Sequence, residues 1–176
     1  SGTRFSWVGA FAPQTVGGRR SHPPKPYKIW EQKINEKENR KAIRSALSAS
    51  MNSEIAKSRG HRVPASYPFV LSDDFQSISK TSDLQNSLEK LGFTEEIERA
   101  SEKKIRAGKG KSRGRKYKNR KGILFVVSDD CSLLKSARNI SGTDIVTVES
   151  LNAELLAPGT TAGRLTLFTE GAVKKL

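Results

Sequence analysis

The stretch Gly122–Val148, G-I-L-F-V-V-S-D-D-C-S-L-L-K-S-A-R-N-I-S-G-T-D-I-V-T-V, decides the fold. Ile123–Val127 is an unbroken apolar run of strand length, the pattern of a central parallel strand buried on both faces. Asp129 or Asp130 is placed to cap a helix that uses Leu133, Leu134 and Ala137, and Gly142 turns the chain into a second strand at Ile145–Val148. Downstream, a helical turn around Ala153–Leu156 stops at Pro158-Gly159, Leu165–Phe168 reads as a further strand and Gly171–Leu176 as a closing helix. Strands alternating with helices at this spacing predict an α/β fold: a three-layer, mostly parallel open sheet with helices on both faces.

Upstream of that stretch, residues 35–59 read as one amphipathic helix, with Asn35 and Glu38 as a capping box, an inner face of Ile43, Ala46, Leu47, Met51 and Ile55, and Gly60 as the stop. A loop from His61 leads to a short buried strand at Phe69-Val70-Leu71. Ser82 with Gln85 caps a helix carrying Leu84, Leu88 and Leu91, and Thr94 starts another whose inner face is Ile97, Ala100 and Ile105, ending near Ala107. The expected domains are a globular unit over residues 31–176 and an irregular arm over residues 1–30.

Charge is distributed unevenly. Between Lys103 and Lys121 eleven of nineteen residues are Lys or Arg and none is acidic, whereas residues 45–102 sum to −3 and residues 122–176 to −1. Residues 1–44 sum to +7, and the whole chain to +14. Such cations face water or a polyanion, because each one buried without a partner costs several kcal/mol. Two cationic islands on a near-neutral body are the electrostatic footprint of a nucleic-acid binder. The first island of candidates is Arg106, Lys109, Lys111, Arg113, Arg115, Lys116, Lys118, Arg120 and Lys121, expected in a glycine-broken basic loop at 106–121. Arg40 and Arg44 lie near the start of the first helix, where cations oppose the dipole and an external anion would relieve the conflict.

The second island lies in the arm, whose glycines and prolines oppose regular structure. It interleaves Arg4, Phe5, Trp7, Phe11, Arg19, Arg20, His22, Tyr27 and Trp30, a composition that stacks on unpaired bases and pairs with phosphates. The competing reading is a terminus whose aromatics fold back on the domain. Composition favours the RNA contact.

Enzymatic readings find little support. Gly110-Lys111-Ser112 ends like a phosphate-binding loop, yet Ile105 stands where the first glycine is required and a helix, not a strand, is expected before it. Gly108, Gly110 and Gly114 miss the dinucleotide spacing. His22 and His61 have no sequence neighbour that would make either a base, and Cys131 has no partner histidine. Asp129-Asp130 are explained by capping. The residues call for no cofactor, no metal and no small-molecule substrate, and no apolar run approaches the roughly 20 residues of a membrane helix.

Several segments carry a family resemblance: G-G-R-R-S-H-P-P-K-P at Gly17–Pro26, R-K-A-I-R-S-A-L-S-A-S at Arg40–Ser50, S-R-G-H-R-V at Ser58–Val63, I-R-A-G-K-G-K-S-R-G-R at Ile105–Arg115, A-R-N-I-S-G at Ala137–Gly142, L-N-A-E-L-L-A-P-G at Leu151–Gly159 and G-R-L-T-L-F-T-E at Gly163–Glu170. Together they resemble the family of large-subunit ribosomal protein four, in its archaeal and eukaryotic form. The resemblance implies a structural, non-enzymatic constituent of the large ribosomal subunit, cytoplasmic once assembled and built in the nucleolus if eukaryotic. Its implied partners are large-subunit ribosomal RNA and neighbouring ribosomal proteins. It also implies that residues 1 to about 30 are the returning limb of a loop that lines the peptide exit tunnel, and that Arg19, Arg20, His22, Lys25, Trp30, Lys33, Arg59 and His61 contact RNA. A strand, a helix and the outgoing limb of that loop precede this point in the family, so the chain is expected to lack about the first third of the family's length and its sheet to lack a strand. The alternative function is a free-standing RNA-binding or RNA-processing module.

Overall fold

The computed structural model describes residues 12–176, so Arg4 and Trp7 lie outside the described residues. The chain divides into two units, Ser1–Ile34 and Asn35–Leu176. Residues 12–34 contain turns but neither helix nor strand.

In the second unit the elements begin with α1 (Glu36–Ser50), α2 (Ser53–Ser58), β1 (Val70–Leu71), α3 (Thr81–Lys90) and α4 (Thr94–Ser101). They continue with β2 (Lys104–Ile105), β3 (Tyr117–Lys118), β4 (Leu124–Val127), α5 (Leu133–Ala137) and β5 (Asp144–Thr147). The last three are α6 (Ala153–Leu156), β6 (Thr166–Thr169) and α7 (Glu170–Lys175). Four strands form one sheet in the order β1-β6-β4-β5, and every pairing in it is parallel. The expectation of an α/β fold around a parallel sheet is met.

The opening apolar run explains the layering. Side chains alternate across a strand, so Phe125 and Val127 enter one apolar cluster with Leu84, Leu88, Phe93 and Leu133, while Leu124 and Val126 enter another with Ala46, Leu156 and Ala172. Helices α3 and α5 thus supply the first cluster and α1, α6 and α7 the second. All four residues of β4 are buried, and each side chain of this size contributes about 1.5–3 kcal/mol when withdrawn from water. The edge strand β1 is less enclosed than expected, with Leu71 buried but Val70 exposed.

Several local expectations are corrected. The single helix over 35–59 is two helices, because Met51 closes α1 and the Asn52 side chain accepts hydrogen bonds from the Glu54 and Ile55 amides to start α2. Asn35 makes no side-chain cap, and Met51 and Ile55, freed from one continuous face, are exposed. Helix α3 begins at Thr81 without a side-chain cap from Ser82, and Asp129 turns to Lys175 while Ser132 precedes α5. Helix α4 stops at Ser101 rather than near Ala107.

Candidate nucleic-acid interface

The basic stretch is not an irregular loop. Strands β2 and β3 pair antiparallel, Lys104 opposite Lys118 and Ile105 opposite Tyr117, and a tight helical turn at Lys109–Arg113 joins them. The Arg106 amide donates to the Lys116 carbonyl at 2.8 Å, and the Arg106 guanidinium folds along the hairpin to donate from Nε to the Arg115 carbonyl at 3.1 Å. Alternation of β-formers such as Ile105 and Tyr117 with lysines permits this pairing, since every lysine on a two-stranded ribbon can stay in water.

Two polar clusters hold the hairpin's root, and neither was anticipated. In the first, Glu96 is fully buried and its carboxylate accepts from His61 Nδ1 at 2.7 Å, the Arg62 amide at 2.9 Å, Arg99 Nε at 2.8 Å and Arg99 Nη2 at 2.7 Å. Burial pushes the Glu96 carboxyl up, but the hydrogen bonds from Arg99, His61 and the Arg62 amide outweigh it and hold the group below its usual value. The Glu96 carboxylate in turn raises the Arg99 guanidinium. Arg99 Nη2 also reaches the Lys121 carbonyl at 2.8 Å, which ties α4 to the end of the hairpin. Gly60, at φ +97°, delivers the histidine: its amide bonds to the Lys57 carbonyl and that of His61 to the Ala56 carbonyl, a left-handed helix stop that turns the chain inward.

The second cluster centres on Arg164, which is completely buried. It donates from Nε to the Gly122 carbonyl at 3.0 Å, from Nη1 to the Leu155 carbonyl at 3.0 Å and from Nη2 to Asp144 Oδ2 at 2.6 Å. The same Asp144 oxygen accepts from Lys121 Nζ at 2.8 Å. Burial pushes Asp144 up, yet the bonds from Lys121 and Arg164 hold it below the ordinary carboxylate range, while burial lowers Arg164. Lys121 is therefore held twice, by its carbonyl and by its ammonium.

These clusters sort the candidate cations. Lys121 serves Asp144, Arg120 pairs with Glu102 at 2.8 Å, and Arg106 serves the hairpin's own carbonyls. Lys103, Lys104, Lys109, Lys111, Arg113, Arg115 and Lys118 are exposed and, among the described residues, have no acidic partner. Lys116 lies 5.5 Å from the centroid of the Tyr117 ring. His61 is only 4 % exposed and engaged by Glu96. Arg59 is half-buried and donates to the carbonyls of Pro158 at 2.6 Å and Ala162 at 3.3 Å, and burial lowers its pKa.

Elsewhere, Arg40 and Arg44 project from the exposed face of α1, Arg40 within 3.9 Å of Glu36. In the first unit Arg19, Arg20, His22, Lys25, Lys28 and Tyr27 line one concavity, and Lys33 is exposed. Lys25 sits over the Tyr27 ring at 5.4 Å and Lys28 over the exposed Trp30 ring at 4.6 Å, within the reach of cation–π attraction.

The carboxyl ends of the parallel strands, where open α/β sheets bind ligands, are occupied by the chain itself. Between β4 and β6, Gln76 Nε2 donates to Asp73 at 2.8 Å and to Thr169 at 3.3 Å, and Asp73 accepts the Gly171 amide at 2.9 Å. Among the described residues no group of three His, Cys, Asp or Glu side chains is arranged to hold a metal ion, and no helix is long and apolar enough to cross a membrane. The cationic hairpin stands at the opposite, amino-terminal ends of the strands, next to Gly122 and Asp144.

The model of the ribosomal protein L4/L1 family matches residues 3–176. The chain belongs to that family. It is 50 % identical over 165 residues to the large ribosomal subunit protein uL4 of Methanococcoides burtonii, a match that covers 93 % of this chain and 65 % of that protein. The uL4 proteins of Methanospirillum hungatei and Archaeoglobus fulgidus are 49 % and 47 % identical, over 95 % and 93 % of this chain and 67 % and 66 % of theirs. The chain thus spans about two-thirds of the length of these L4-family relatives. Proteins so named are structural constituents of the large ribosomal subunit and not enzymes, and this family member is of the archaeal type.

Proposed function

We propose that this chain binds large-subunit ribosomal RNA as a structural component of the large ribosomal subunit, supports its assembly and contributes residues 1–30 as an extended arm to the peptide exit tunnel. The observation that carries the reading is the hairpin: eight exposed cations between Lys103 and Lys118 without acidic partners among the described residues, held on a root of buried salt bridges, in a chain whose relatives are named as large-subunit proteins. Lys109, Lys111, Arg113, Arg115, Lys116 and Lys118 are the proposed phosphate contacts of the hairpin, with Arg40 and Arg44 on α1. Arg4, Trp7, Arg19, Arg20, His22, Lys25 and Trp30 are those of the arm, with Lys33 just beyond it, where ring and ammonium groups side by side suit unpaired nucleotides. Arg106, Arg120 and Lys121 act through the hairpin's shape, His61 through its root, and Arg59 through the turn that it holds by the Pro158 and Ala162 carbonyls. Neighbouring ribosomal proteins are partners in the same assembly.

The test replaces Lys109, Lys111, Arg113 and Arg115 together by Gln and measures binding to large-subunit ribosomal RNA across a salt series. The slope of log affinity against log salt is expected to fall by about 0.7–0.9 for each phosphate that the variant no longer neutralises, and the variant is expected to leave the large-subunit fraction on sedimentation. An unchanged slope would overturn the reading.

A further inference from the structure

The hairpin has two chemically different faces. Opposed residues of a ladder share a face and alternate along each strand, so Lys104 and Lys118 fall on one side and Ile105 and Tyr117 on the other. Lys104 and Lys118 line a cavity of about 450 Å³ with Arg59, Arg99, Arg120 and Lys121, which turns the cationic face toward the body of the second unit. The opposite face presents an isoleucine 59 % exposed and a tyrosine 50 % exposed, directly across from each other. These are the two large apolar side chains of Lys103–Lys121, and neither belongs to either of the apolar clusters of the core.

We infer that Ile105 and Tyr117 form a stacking platform for an unpaired base of the bound RNA, so that the hairpin grips the phosphate backbone with its lysines and a base face with its aromatic ring. The inference rests on the RNA-binding role proposed above. Charge complementarity chooses the occupant. An apolar protein surface settling on this pair would draw Lys103, Arg115 and Lys116 out of water without anionic partners, which is strongly unfavourable. A nucleotide brings a flat apolar face and a negative phosphate together. The Lys116 ammonium, 5.5 Å from the ring centroid, already marks one side of the ring as the electrostatically attractive one and leaves its charge within reach of an adjoining phosphate. Bases within a duplex have both faces occupied by their neighbours, which makes the ligand an unpaired nucleotide in a loop or bulge.

The experiment compares Tyr117→Ala, Tyr117→Val and Tyr117→Phe with the unsubstituted chain in binding to large-subunit ribosomal RNA and to a fully paired RNA duplex, each across a salt series. Tyr117→Val keeps a β-forming residue in the strand but removes the planar ring. Both ring-removing variants are expected to lose roughly 5- to 150-fold in affinity for the ribosomal RNA, the range for one stacked base, with the salt slope and the duplex affinity unchanged; Tyr117→Phe is expected to bind as the parent does. If Tyr117→Val binds the ribosomal RNA as tightly as the parent, or loses duplex affinity in equal measure, the platform is overturned. When that happens while the lysine and arginine replacements still lower the salt slope, the RNA-binding role stands and only the platform falls. When the slope does not respond either, both fall.

Discussion

Arg164 Nη2 donates to Asp144 Oδ2 at 2.6 Å across the amino ends of the parallel sheet, from the residues preceding β6 to the first residue of β5, over the top of β4. The same guanidinium bonds to Gly122, just before β4, so one buried cation joins the starts of three strands. Asp144 passes the connection on to Lys121 and thereby to the hairpin.

Arg164→Met should destabilise the chain by about 3–5 kcal/mol, because it removes a fully buried ion-pair partner, leaving the partly buried Asp144 with Lys121 alone, and strands the carbonyls of Gly122 and Leu155. Arg164→Lys should recover only part of the loss, since one ammonium cannot reproduce a planar fork aimed at several acceptors. Urea unfolding followed by circular dichroism measures both. A Met variant as stable as the parent would show that the strand starts do not depend on this fork.

The Glu96 cluster predicts an acid sensitivity. Its carboxyl lies lower in the folded chain than in the unfolded one, where a glutamate titrates near about 4.3. The folded state therefore binds fewer protons in that window. The cluster's contribution is fully present above the unfolded value and is lost as the pH falls through the folded one. Glu96→Gln, which cannot ionise, should be less stable than the parent at pH 7 and should lose less of its stability on going from pH 6 to pH 3. Parallel pH profiles for the two proteins would contradict the assignment of Glu96 to this role.

What the sequence made legible and what it did not follow from physical range. β4 reads itself, because five consecutive apolar residues have one stable environment, and the stops at Gly60 and Gly142 are local backbone requirements. Asp129 does not cap α5 because a competing partner, Lys175, lies far along the chain, whereas Ser82 turns to its neighbour Asp83 and Asn35 makes no side-chain cap. The helical period carries α4 through Ile105, whereas pairing of Ile105 with Tyr117, twelve residues later, places it in a strand. The cations of the interface were visible as composition. Which of them bind outward was not, since the acceptors that engage Arg106, Arg120 and Lys121 come together only on folding. The one sequence signal of the hidden clusters is Arg164 itself, a charge directly before the buried run Leu165–Phe168 that requires a buried partner.

Gly142 stands where the Arg164 cluster meets the hairpin. Its φ is +77°, its carbonyl accepts the Gly122 amide at 2.8 Å, and a Cβ placed on it would lie 2.6 Å from the Arg120 carbonyl oxygen. Gly142→Ala thus meets both a left-handed backbone, which costs an L-residue about 1–2 kcal/mol, and a backbone clash that no side-chain rotation relieves. The expected loss exceeds 2 kcal/mol, roughly, and a thermal melt should show a drop of more than about 5 °C for a chain of this size. A melting temperature within one degree of the parent would be inconsistent with the turn described.

Arg106 separates charge from shape within the hairpin. Its guanidinium lies along the ribbon, with Nε on the Arg115 carbonyl and Nη2 near the Tyr117 carbonyl at 3.5 Å, so its charge is spent on the hairpin's own backbone. Arg106→Lys keeps the charge and loses the fork. The loss of one or two such bonds, each about 0.5–1.5 kcal/mol, should raise local opening of the ribbon and speed amide exchange at Arg106 and Arg115 by several-fold. The salt slope of RNA binding should stay as it is, because no outward-facing cation has been removed. Affinity should fall with the population of the closed ribbon, by no more than the factor seen in exchange. A fall in the slope as large as one phosphate accounts for would mean that Arg106 leaves its carbonyls to bind phosphate directly, and slow exchange retained in the Lys variant would mean that the strand pairing of Ile105 with Tyr117 holds the ribbon without it.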